Sequence, residues 1–201
     1  MSSKVQQATK RRYRKRRRAQ QEDETRRRIT EAAVELHGTL GPARTTISAV
    51  AEQAGVQRAT VYRHFPDEAS LFGACSAHWM AGNPLPDLAE WAAVADPDER
   101  LRLALGQLYS WFDRGEYMLE KTTRDAPVVP AMQAPIAAAA RWSEAAVDTL
   151  MAGRRERGEA RRRARAALGH AVAFPTWRSL VREQGLSQEE AIELMTSLAG
   201  D

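Results

Sequence analysis

GVQRATVYRHF, residues 55–65, places two arginines, a histidine, a tyrosine and a threonine on one short helical stretch behind a glycine-valine turn. Ala59 is small enough to let such a helix approach a flat surface closely. Gln57, Arg58 and Arg63 supply donors, and Thr60 and Tyr62 supply hydroxyls. Val61 and Phe65, four apart, share the opposite face and point into a core. The outward face suits a polyanion.

The flanks fit that reading. Ile29, Ala32, Ala33 and Leu36 form one apolar stripe on a first helix that stops near Gly38 to Pro42. Thr46 is the expected N-cap of a second helix carrying Ile47, Val50, Ala51 and Ala54. Gly55 then stands where a left-handed residue is needed, Val56 drops into the core, and the chain turns into the quoted stretch. Pro66-Asp67 ends that stretch and caps a fourth helix with Leu71, Phe72 and Cys75 on its apolar side. Two short helices joined by a tight glycine turn have the layout of a helix-turn-helix, whose second helix lies in the DNA major groove.

The remaining sequence also reads as helix, because the 3.6-residue period recurs while strand alternation is scarce. Pro84 and Pro86 mark a domain joint. Beyond it come amphipathic segments: one around Leu101, Leu105, Leu108 and Phe112, and others at about 130–151, 159–182 and 188–199. Pro175 should bend the third of these. The expected fold is all-α, divided into a basic disordered arm (1–21), a helix-turn-helix DNA-binding domain (22–82) and a further helical domain (83–201).

Charge is distributed unevenly over the 201 residues. Residues 1–28 hold 12 Lys/Arg against 3 Asp/Glu, and the rest hold 18 against 23, so the net +4 is a basic attachment on an acidic body. Eight of the nine residues from Lys10 to Arg18 are basic, namely Lys10, Arg11, Arg12, Arg14, Lys15, Arg16, Arg17 and Arg18. Such density repels itself, so a free arm is expected to be disordered. Beside a duplex, each neutralised phosphate releases counterions, and the arm either tracks the minor groove or backbone or adds nonspecific attraction alone. No apolar run approaches a membrane span and no signal peptide is visible, which places the protein in the cytoplasm, away from membranes. The single Cys75 suits a small buried hydrophobe better than a redox sensor.

The pattern Thr46-Ile47-x-x-Val50-Ala51-x-x-Ala54-Gly55-Val56-x-x-x-Thr60-Val61-Tyr62-Arg63-His64-Phe65, followed by Leu71-Phe72, resembles the DNA-binding domain of the TetR family of bacterial transcriptional regulators. The resemblance covers about Thr25 to Trp79. It implies that Gln57, Arg58 and Thr60 face bases, that Thr46, Tyr62 and His64 hold phosphates, and that Arg44 reaches the backbone or adjacent minor groove. His64 could instead bond within the domain. One position departs from the family: Glu68 stands where many members carry a phosphate-binding lysine.

The resemblance further implies that residues 83–201 are an effector-binding and dimerisation domain, and that the protein is a homodimer on a palindromic operator, released by a small-molecule effector. Ala164, Ala167, Leu168, Ala171 and Val172 form one stripe and Ile192, Met195 and Leu198 another, which serve as the dimer interface or as plain internal core. Tyr109, Trp111, Tyr117, Met118, Arg124, Trp142, His170, Phe174 and Trp177 are the residues available to line an effector pocket, each of which could equally fill core. No cofactor or metal motif occurs, and the four histidines are scattered, so catalysis is not expected. The alternative to a regulator is a nucleoid-like binder driven by the arm. Between repressor and activator the residues are silent.

Overall fold

The computed structural model describes the backbone from Ser2 to Gly200 and side chains from Tyr13 to Ala199. Among the described residues ten α-helices follow one another: α1 Ser2–Thr39, α2 Ile47–Gln53, α3 Arg58–His64, α4 Glu68–Gly82, α5 Leu88–Ala92, α6 Pro97–Asp125, α7 Gln133–Met151, α8 Gly158–Ala171, α9 Phe174–Arg178 and α10 Gln188–Gly200. No strand occurs among the described residues, and the fold is all-α.

Local chemistry sets the boundaries of the first four helices. The Thr46 hydroxyl accepts from the Ala49 amide at 3.1 Å and starts α2; the Asp67 carboxylate accepts from the Ser70 amide at 2.7 Å and starts α4. Between α2 and α3, Gly55 takes φ +63°, the left-handed conformation that ends α2. The Val56 amide then bonds the Ala51 carbonyl at 2.9 Å, closing the turn.

Two apolar clusters hold the chain. The smaller gathers Ile29, Ala33, Val50, Val61, Phe65, Leu71 and Cys75 from α1 to α4. In it the Cys75 thiol lies 3.8 Å from the Thr30 carbonyl, and burial pushes its pKa up to about 12, so it stays a neutral packing group. The larger cluster centres on α6, whose Leu101, Leu105, Leu108 and Phe112 are buried against α5 and α7 to α10. α4 serves both, since its Trp79 and Met80 pack on the larger cluster. Arg100, in the first turn of α6 and only 5% exposed, donates to the carbonyls of Val94, Ala95, Thr149 and Ala152. One buried guanidinium thereby closes the α5–α6 connection onto the end of α7.

Two expectations need correction. The backbone is helical from Ser2, where a disordered arm is expected; Lys, Arg, Gln and Ala are strong helix formers, and Arg18 pairs with Glu22 one turn on at 3.1 Å. Pro175 does not bend a continuous helix. α8 ends at Ala171, and Pro175 sits in the first turn of α9, where its missing N–H costs nothing. The Ala171 carbonyl that Pro175 leaves unbonded accepts from the buried Tyr109 hydroxyl at 3.0 Å.

Candidate nucleic-acid interface

α3 presents two chemically distinct faces. Val61 and Phe65 are buried at 0% and 2% exposure, which anchors the helix and fixes its rotation. Gln57, Arg58, Ala59, Tyr62 and Arg63 are exposed on the other side, with Thr60 half-buried between the two. Arg44 and Thr46 are exposed beside them, at the start of α2.

Within the exposed face, the Arg58 Nη2 donates to the Tyr62 hydroxyl at 3.1 Å, and its guanidinium lies 5.5 Å from the centre of the Tyr62 ring. His64 is placed less openly. Its Nε2 is enclosed with no partner, so a phosphate contact through that nitrogen requires the ring to turn. Desolvation first, and then the charges of Arg63 and Arg26, hold its pKa below the usual histidine value. Glu68 is exposed in the first turn of α4, where its charge suits the positive helix end but repels a phosphate.

A residue that the sequence reading missed ties α1 to α3. The Arg26 guanidinium lies 4.1 Å from the Phe65 ring centre and donates to the His64 carbonyl. No pattern marks it, because Arg26 is one of three consecutive arginines and a tertiary contact selects it. Arg14, Lys15, Arg16, Arg17 and Arg18 are exposed on the same helix. At 1.5 Å per residue they sit roughly 12–18 Å beyond Arg26 along the axis. Lys10, Arg11 and Arg12 lie outside the residues whose side chains are described.

α6 meets this domain directly. Asp125, buried at its C-terminal end, accepts from the Ala43 amide at 2.9 Å, and Arg124 donates to Asp125 at 2.7 Å and to the Leu40 carbonyl at 3.2 Å. The hydrogen bond from Arg124 is the main reason that the Asp125 carboxyl titrates below its usual range. Gly41, at φ +94°, leaves room for this approach, since a Cβ there would lie 2.5 Å from the Asp125 carboxylate.

Most of the nine residues expected around an effector pocket are engaged in contacts within the chain. Tyr109, Trp111, Met118, Phe174 and Trp177 are buried in the protein's own packing, and Trp142 meets Trp91 edge to face at 5.8 Å. Tyr117 accepts from the Trp79 indole at 3.1 Å, Arg124 belongs to the Asp125 clasp, and His170 is exposed. Aromatic residues at helical spacing are drawn into the core first. An open groove of about 670 Å³ lies elsewhere, along Leu85, Asp87, Glu90, Arg102, Gln107 and Arg114. The two stripes expected at a dimer interface or in the core lie mostly in the chain's own packing. Leu168, Ala171, Val172 and Met195 are buried in the chain's own core, and Ala164, Ala167 and Ile192 pack on it. Of the eight, Leu198 alone stands exposed, at 60%, one turn from Leu194 at 40%. No cluster of metal-ligating side chains occurs among the described residues, and none of their helices is long and apolar enough to cross a membrane.

Residues 29–75 match the family described as bacterial regulatory proteins, tetR family. No curated protein is significantly similar in sequence. Among solved structures, a TetR-like transcriptional regulator from Rhodococcus sp. RHA1 shares 19% identity at a TM-score of 0.62, over 88% of this chain and 93% of that one. NalD, the secondary repressor of the MexAB-OprM multidrug efflux pump in Pseudomonas aeruginosa, shares 20% identity at 0.59, over 90% and 96%. The multidrug binding protein EbrR, complexed with imidazole, shares 26% identity at 0.52, over 87% and 89%.

Proposed function

Through residues 29–75 the chain belongs to the TetR family of bacterial regulatory proteins, and from that premise we propose that it is a homodimeric repressor which a small molecule releases from a palindromic operator. The observation that carries this reading is α3 itself: a helix rotated by buried Val61 and Phe65 so that Gln57, Arg58, Tyr62 and Arg63 all project outward. Gln57, Arg58 and Thr60 face base edges, with Ala59 allowing close approach, while Arg44, Thr46, Tyr62 and Arg63 hold the backbone. The helical arm reaches phosphates beyond the half-site.

A twofold dimer sets two such helices about 34–36 Å apart, one turn of B-DNA. α8 and α10 supply its interface, with Leu194 and Leu198 as the apolar contact, because their inward stripes are already occupied by core. The effector enters the larger helical domain beside Trp177, parting the Phe112, Phe174 and Trp177 rings that pack on one another at 5.5–5.9 Å. Support comes from the Trp177 indole N–H, which is buried without an acceptor, a cost that a ligand oxygen or nitrogen would remove. EbrR, described as a multidrug binding protein, offers a precedent for a small-molecule ligand. Asp125 and Arg124 then link that domain to the DNA reader, and release requires the ligand to favour the DNA-incompetent arrangement.

Selection of bound duplexes from a random library, with and without candidate effectors, tests the reading. A palindromic consensus with half-sites one turn apart is expected. Recovery of unenriched sequence would favour a nucleoid-like binder held by the arm.

A further inference from the structure

On the exposed face of α3, the contact between Arg58 and Tyr62 differs in kind from the surface ion pairs that other arginines of the same domain make. Arg18 pairs with Glu22, and Arg27 pairs with both Glu24 and Glu31. Those guanidiniums are oriented by a carboxylate that also cancels their charge. Arg58 is oriented by a neutral phenol, through a hydrogen bond of 3.1 Å and a ring contact at 5.5 Å. Its full charge therefore stays available to an anion.

We propose that Tyr62 is the positioning residue for base readout by Arg58, and that its hydroxyl joins this readout to a phosphate contact. Residues 58 and 62 are one turn apart, so the phenol stands beside the arginine stem. A hydroxyl has one proton to give and two lone pairs. Because the Tyr62 oxygen accepts from Arg58, its own proton is left for a second acceptor, such as a backbone phosphate. Only one of the five guanidinium N–H groups is used, which leaves a parallel pair free to meet a guanine edge. An unrestrained arginine loses rotamer freedom on binding, and the tyrosine removes part of that loss beforehand. The two contacts also strengthen one another, since a hydroxyl that accepts from a cation becomes a better donor. Wrong bases are then rejected more strongly, because Arg58 cannot swing freely to another acceptor.

This inference rests on the regulator reading above, and its test separates the two. Base preferences of the full chain would be measured by library selection for the wild type, Arg58→Ala, Tyr62→Phe and the double variant, with thermal melts to confirm folding. Tyr62→Phe keeps the ring and the buried face of α3 and removes only the hydroxyl. It is expected to relax preference at the same base position as Arg58→Ala, by roughly three- to tenfold out of the larger discrimination that a bidentate arginine gives. The double variant should show no further relaxation there than Arg58→Ala alone. A loss of affinity spread evenly over all sequences would make Tyr62 a phosphate anchor only and overturn the proposal, as would a Tyr62→Phe profile identical to the wild type. If Arg58→Ala itself alters no base preference, base readout by α3 falls together with the positioning role; failure confined to Tyr62→Phe removes the positioning role alone.

Discussion

His37 makes stability depend on pH in a calculable way. The imidazole is 5% exposed at the end of α1 and stacks on Phe72 of α4 at 4.5 Å. Burial lowers its pKa from 6.5 to about 4, against a smaller opposing pull from the Asp125 carboxylate. Above pH 6.5 the imidazole is neutral both folded and unfolded, and the full stability is present. Below that, the unfolded chain takes up a proton that the folded protein refuses, so stability falls until pH reaches about 4. A window of about two and a half pH units at 1.36 kcal/mol each amounts to about 3 kcal/mol. For a chain of this size that is roughly 6–12 °C in Tm. Asp125 acts in a lower window, because a carboxyl titrating below its usual range contributes fully above about pH 4 and fails only beneath it. Denaturant unfolding of the wild type and His37→Phe from pH 7.5 to 4 checks this: the stability difference should shift by about 3 kcal/mol in favour of the variant across the window. Parallel profiles, or an imidazole NMR signal titrating near 6.5, would refute the reasoning.

Arg100→Met removes the donor shared by four carbonyls and should cost about 3 kcal/mol, read as a drop in denaturation midpoint, with Arg100→Lys intermediate. Asp125→Ala leaves the Ala43 amide without its acceptor and should cost about 1–3 kcal/mol. Faster amide exchange in residues 40–45 of that variant would show the α6 contact loosening. Glu at both Leu194 and Leu198 places charge on the proposed dimer face and should yield monomers in sedimentation, with helicity retained. Those side chains are exposed in the single chain, so misfolding is not expected.

How legible all this was in the sequence depended on distance. Caps and turns were readable because they are local: Thr46, Asp67 and Gly55 act within four residues, and each does what its residue type implies. The outward face of α3 followed from Val61 and Phe65, since two buried positions fix a helix's rotation. Tertiary partners were not readable. Arg124 looked like a ligand charge, yet Asp125 beside it and Leu40, far off in sequence, claim it. The stripes of α8 and α10 were visible as stripes, but periodicity cannot say whether the surface they cover is α6 or a second copy. Helix continuity through Arg14 to Arg18 is not legible from charge density, because the helix propensity of these residues outweighs their mutual repulsion.

The most direct measurement of the central claim is the ratio of affinities for a selected duplex and a random one at fixed salt, for the wild type and for a variant with alanine at Gln57 and Arg58. The wild-type ratio should exceed roughly 10³. The variant's should fall by at least about tenfold while its random-duplex binding, carried by the arm, changes far less. A wild-type ratio near one would contradict sequence reading by α3.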